Sequence, residues 1–194
     1  MVFQQAYDIV IPRLRQELSS NLFYHGVHHT LDVINAVQTL ATEESLNALD
    51  TECLLIAALF HDTGYLFQYE DNEIHGVNYA KEVLKKLNYP VDQRLLVENI
   101  ILSTTIGIKP TNLLEELMSD ADFDYFGRDD FFEIAENLRL ELNIYGGAIS
   151  AHTWDKLQIE FIEQHHYYTK SAQKKRLPKK LDNLNSIKKR LISY

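Results

Sequence analysis

The stretch Thr51-Glu52-Cys53-Leu54-Leu55-Ile56-Ala57-Ala58-Leu59-Phe60-His61-Asp62 decides the fold. From Cys53 to Phe60 every side chain is apolar, which leaves no face for water. A helix over residues 51–61 is therefore expected to be buried at the centre of the molecule. Such a helix must be covered by other elements, and the rest of the chain supplies amphipathic ones. Leu31, Ile34, Ala36, Val37 and Leu40 give a helix starting near His28 its apolar face. Further helices are expected over residues 2–18, 73–87, 91–104, 112–119, 129–143 and 151–166, with a last amphipathic one from about Lys179. Pro12 should kink or break the first. Residues 62–72 read as a polar, aromatic loop, Asn88-Tyr89-Pro90 as a stop, and Gly146-Gly147 as a break. No convincing alternating strand appears, and only seven glycines and four prolines occur in 194 residues. The expected fold class is all-α.

Composition sets outer limits. The chain is 45% hydrophobic and 24% charged, as ordinary globular proteins are. A single cysteine, Cys53, excludes an intrachain disulfide and a thiolate metal cluster, and its apolar neighbours mark it as a buried hydrophobe. No apolar run approaches the roughly 18 residues of a membrane span, and no signal-peptide pattern opens the sequence. The expectation is a cytoplasmic protein, with no membrane partner. Net charge is −9, yet residues 170–194 carry nine of the nineteen Lys and Arg against one acid, Asp182. The simpler reading is a basic helix packed on an acidic body. The other is an anionic partner, but no nucleic-acid module accompanies the basic segment.

The chemistry gathers in three places. His61-Asp62 stands where the most apolar helix emerges, and polar groups there must be paired or ligated. An imidazole nitrogen with a carboxylate oxygen suits Mn, Fe, Ni, Zn or Mg. Upstream, Tyr24-His25-Gly26-Val27-His28-His29-Thr30-Leu31-Asp32-Val33 puts His25 and His29 four residues apart. Downstream, Ser119-Asp120-Ala121-Asp122-Phe123-Asp124 carries three carboxylates at alternate positions, a cluster that repels itself unless a cation is near.

Together these segments, with Ala57 to Tyr65 and His75-Gly76-Val77 to Ala80, resemble the HD superfamily of metal-dependent phosphohydrolases. The order there is His, then His-Asp, then a distant Asp. The resemblance covers about residues 20–130, with a helical C-terminal extension over 131–194, and implies one HD-type domain spanning the chain. The stretches Gly127-Arg128-Asp129-Asp130-Phe131-Phe132 and Gln164-His165-His166-Tyr167-Tyr168-Thr169 look like an uncharacterised bacterial branch. It implies an HD-like multi-helix bundle whose central buried helix carries the dyad.

Carried over residue by residue, the resemblance makes His29, His61, Asp62 and Asp122 the metal ligands. Asp122 is preferred to Asp120 because the family's last ligand usually follows an alanine, as Asp122 follows Ala121. Asp62 is also a candidate to orient the nucleophilic water, and Asp32 or Thr63 to fix the imidazoles by hydrogen bonds. His75 matches the first of two histidines that hold a second metal in binuclear members. Where the second would stand the chain has Ser103-Thr104-Thr105, so one metal per chain is expected. His75 then either approaches the phosphate, helps a weak second ion, or is a surface histidine at a helix start. His25 is a candidate catalytic or substrate-contacting group. Arg128 could grip a phosphate, although pairing with Asp129, Asp130 or Glu133 is simpler. His165 and His166 read as structural. The implied activity is hydrolysis of a phosphoester in a nucleotide or related small molecule. A di-iron oxygenase and a non-catalytic metal or nucleotide sensor are the alternatives.

Overall fold

A computed structural model describes residues 1–192. Among them there is no strand; the elements are α1 (Val2–Glu17), α2 (Val27–Glu43), α3 (Ala48–Phe60), α4 (Asn72–Lys86), α5 (Val91–Leu102), α6 (Leu113–Asp122), α7 (Phe131–Tyr145), α8 (Ala151–Gln164) and α9 (Lys170–Ile192). Short 3-10 turns at Thr63–Leu66 and Asp124–Gly127 join them. None of the described helices is long and apolar enough to cross a membrane.

The all-apolar helix is indeed the centre. Every side chain of α3 from Cys53 to Phe60 is buried, and α1, α2, α5 and α6 pack around it. Burying side chains the size of Leu54, Ile56, Leu59 and Phe60 stabilises a fold by roughly 1.5–3 kcal/mol each, so this helix is the main anchor of the site it carries. It begins three residues earlier than expected, because Asn47 caps it by accepting from the Asp50 N–H at 2.9 Å. Cys53 is fully buried, its Sγ 3.3 Å from the Tyr89 hydroxyl.

Pro12, read as a kink or break, and Pro178 both lie inside helices. Pro12 does not interrupt α1, because it faces solvent while Val10, Ile11 and Leu14 hold the opposite face in the core. Likewise α9 starts at Lys170, not near Lys179, and runs through exposed Pro178. One stripe of Ala172, Lys180, Asn183, Leu184 and Ile187 packs it down across that proline.

The basic residues of α9 meet the acidic body, as the simpler reading required. Arg176 donates to both oxygens of Asp124 at 2.6 and 2.7 Å, Lys179 pairs with Asp129, Lys188 with Glu163, and Arg190 with Asp155.

Candidate functional site

The dyad sits where α3 ends. His61 caps the helix and Asp62 opens the turn that follows. That turn is not a loose loop: its 3-10 segment is pressed onto the start of α4, and a Cβ on Gly64 would stand 1.8 Å from the Asn72 carbonyl oxygen. Glycine at 64 is thus a condition of the close approach that fixes Asp62. His29 lies in the first turn of α2, and Asp122 is the last residue of α6. Three helix ends therefore converge.

The four side chains meet. His29 Nε2 is 3.1 Å from Asp122 Oδ1, 3.3 Å from His61 Nε2 and 3.3 Å from Asp62 Oδ2. His61 Nε2 is 3.1 Å from Asp62 Oδ2 and 3.6 Å from Asp122 Oδ1. Ligating atoms of His29, His61 and Asp122 all fall within 4.8 Å of one another, the spread of a group that could hold one metal ion. His61 is 1% exposed and His29 is 7%. Asp62 Oδ2 is wholly buried, and although two imidazole nitrogens are near, none makes a hydrogen bond with it. A buried, unpartnered carboxylate oxygen facing two imidazoles and a second carboxylate is a donor set that fits a divalent cation.

The electrostatics agree. Burial alone would push the His61 imidazole down, but Asp62 and Asp122 raise it to about 9. Burial would raise Asp62, yet His61, His25 and His29 hold it well below the usual carboxylate range. Protons on the imidazoles balance the carboxylates here, a role that a divalent cation takes over when it displaces them.

The acidic segment separates into three roles. Asp122 faces the histidines. Asp120, fully buried, turns away and accepts from the N–H groups of Tyr168 and Thr169, both at 2.8 Å, and from the Thr169 hydroxyl at 2.6 Å. Asp124 receives Arg176.

The remaining candidates divide. His25 borders the cavity beside the cluster; its Nδ1 meets Glu141 and its ring stacks on Tyr65 at 4.4 Å. His75 is not brought there: it is half-buried on α4 against Phe67, at 6.3 Å, and is not among the residues lining the cavity. The turn of α4 that faces the cavity contributes Asn72 and Glu73 instead. Arg128 is consumed by carboxylates, donating to Asp130 through Nε at 2.9 Å and to Asp32 through Nη1 at 3.0 Å. It lines a separate recess of about 30 Å³ with His28, Asp32 and Asp122. Neither Asp32 nor Thr63 orients an imidazole, since Asp32 takes Arg128 and Thr63 donates to the Phe60 carbonyl at 2.7 Å. The Ala58 carbonyl does so for His61, accepting from Nδ1 at 2.9 Å.

Glu141 is the residue that sequence reasoning missed. Fully buried on α7, it accepts from the N–H groups of Tyr24 and His25 at 2.9 and 3.0 Å, from the His25 ring, and from the Tyr69 hydroxyl at 3.2 Å. Burial opposes its charge, but these donors hold it below its ordinary value. An acid beside the Ala135, Leu138 and Leu142 stripe of α7 was the available signal.

Helices converging on two histidines and two aspartates, buried at the end of a central apolar helix, define an all-helical metal-site protein. The chain belongs to the HD domain family, whose model matches residues 26–123. That span holds His29, His61, Asp62 and Asp122 and about half the chain. The family binds divalent metals and consists mostly of metal-dependent phosphohydrolases. No curated protein and no solved structure matches the chain.

Proposed function

We propose that the chain is a metal-dependent phosphohydrolase acting on a phosphoester of a small molecule, with His29, His61, Asp62 and Asp122 holding a single divalent ion. The observation that carries this reading is the convergence of Asp62 Oδ2, Asp122 Oδ1 and the Nε2 atoms of His29 and His61, with Asp62 Oδ2 buried 3.3 and 3.1 Å from the two imidazoles. The chemistry such an ion supplies is acidification of a bound water and neutralisation of phosphoryl charge.

The protein's own groups do the rest. Asp62 orients the attacking water through a carboxylate kept ionised by its imidazole neighbours. His25 is the proton donor. Burial lowers its basicity, but Asp62 and Glu141 more than offset that and raise it, so the ring holds a proton more readily than a free imidazole and can deliver it to a basic alkoxide. Water adds to phosphorus and gives up a proton to solvent, the ester P–O bond breaks, the departing alkoxide takes the His25 proton, and solvent returns one to the ring. Tyr65, stacked on the imidazole, fixes its plane.

The test is metal analysis of the purified protein with a phosphatase screen in Mn, Ni, Co and Mg. About one divalent ion per chain and turnover abolished by chelation are expected. Two irons per chain would point to the oxygenase alternative, and no retained metal with no turnover would overturn the proposal.

A further inference from the structure

A cavity of about 580 Å³ opens from the carboxylate side of the cluster and runs between α7 and α8. Asp62 and Asp122 line one part of it; Phe131, Leu138, Leu142, Trp154, Phe161 and Ile162 wall another. No Lys or Arg occurs among the described lining residues, whereas Asp62, Glu73, Asp122 and Glu160 do. A triphosphate or diphosphate brings several negative charges, and one divalent ion with the single imidazole of His25 leaves the rest facing those carboxylates. A monoester dianion is matched by a single ion. Arg128, the cation nearest in sequence to the acidic cluster, is already held by Asp130 and Asp32.

Two amide side chains stand in the wall, and Gln158 donates from Nε2 to Asp155 at 3.4 Å. Gln158 is 6% exposed and Asn72 is 8%, and the amide oxygen of each is buried with no hydrogen bond. Both line the cavity. Each oxygen is sealed from the cavity, which leaves the apolar side chains to set what this part of the wall holds.

We propose that this cavity holds the apolar body of the substrate, so that the substrate is a monophosphate ester of a largely hydrophobic alcohol, rather than a polyphosphorylated nucleotide. The phosphate end of this inference rests on the phosphohydrolase reading; the apolar end does not. A cavity of this size lies within the usual range for small-molecule sites, and its aromatic and aliphatic lining is of the usual kind.

Trp154 is the one tryptophan of the chain and lines the cavity, so its fluorescence reports occupancy without metal or turnover. Titrating metal-free protein with hexylphosphonate should give a saturable change at a concentration at least tenfold below that needed with methylphosphonate, AMP or ATP. Ala135→Phe, which fills the wall from α7, should weaken hexylphosphonate at least tenfold. Circular dichroism establishes that the variant is folded. On the wild-type protein loaded with metal, hexyl phosphate should exceed methyl phosphate at least tenfold in kcat/KM. Equal responses to the two phosphonates, or tighter binding of AMP or ATP, overturn the inference. A saturable tryptophan response with no turnover of any ester overturns the phosphohydrolase reading alone.

Discussion

The Nε2 atoms of His29 and His61 lie 3.3 Å apart, two ring nitrogens aimed at each other across the cluster. A carbonyl can only accept, so the bond from His61 Nδ1 to Ala58 assigns the proton to Nδ1 and turns the Nε2 lone pair of the neutral ring inward. A carboxylate likewise only accepts, so His29 Nε2 donates to Asp122 Oδ1 at 3.1 Å, and a divalent ion would take the place of that proton between the two rings and two carboxylates. A divalent ion at 100 times its Kd should stabilise the fold by about 2.7 kcal/mol. For a chain of this length that raises Tm by roughly 5–10 °C. His61→Ala should abolish the shift while leaving helical content intact; differential scanning calorimetry with and without metal measures the first and far-UV circular dichroism the second. An equal metal-induced shift in the variant would remove His61 from the ligand set.

Glu141 ties the loop before α2 to α7, and with it His25. Glu141→Ala leaves two backbone N–H groups, an imidazole and a tyrosine hydroxyl without their acceptor in a buried setting. The loss should be about 3 kcal/mol or more in urea unfolding. Glu141→Gln keeps one oxygen and should cost less. Because Gln no longer fixes the charge on His25, turnover should still fall at least tenfold in that variant while metal content stays unchanged. Retained activity in a folded Glu141→Gln protein would mean that His25 does not depend on the carboxylate.

The parts of this molecule written in local pattern were legible. The run Cys53–Phe60 could only be a central helix, and the His-Asp at its end could only be polar groups in need of partners. The convergence of residues 29, 61, 62 and 122 was anticipated by resemblance, since nothing local brings α2, α3 and α6 together. What stayed illegible depended on tertiary packing. Pro12 and Pro178 are tolerated because their helices face water there, which no propensity reveals. His75 carries the family's spacing, yet the short turn that Gly64 allows presents Asn72 and Glu73 to the cavity in its place. Glu141 acts on residues 116 and 117 positions away, and the wall of α7 and α8 that shapes the cavity falls outside the motif altogether.

His165 offers a pH test remote from the cluster. Its ring lies among Phe123, Phe126 and Tyr167, and neither nitrogen has a hydrogen-bond partner. Burial, with the nearby Lys180 and His166 charges, pushes its pKa down to about 3 from an unfolded value near 6.5. Between those values the unfolded chain binds the proton and the folded one does not, so stability falls as pH drops. The slope for one group is at most ~1.4 kcal/mol per pH unit, and partial solvent access reduces it. His165→Phe should flatten the loss of Tm between pH 6.5 and 4. Parallel curves for the two proteins would show that the imidazole is protonated in the fold.

Asp120 and Asp122 supply the sharpest separation of structure from chemistry, because they share a helix end and differ in what they touch. Asp120 accepts three hydrogen bonds from the segment that leads into α9, two of them from backbone N–H groups. An amide there must turn N–H toward N–H. Asp120→Asn should therefore lower stability by about 2–3 kcal/mol, read by denaturant unfolding, and keep its metal. Asp122 makes no such anchor; its Oδ1 lies 3.1 Å from His29 and 3.6 Å from His61. Asp122→Asn should leave unfolding of the metal-free protein within about 1 kcal/mol of the parent, since no buried donor is orphaned. Its metal content, measured by plasma emission, should drop at least tenfold, and turnover with it. The reverse pattern, metal lost with Asp120 and kept with Asp122, would exchange their roles and move the cation to the far side of α6.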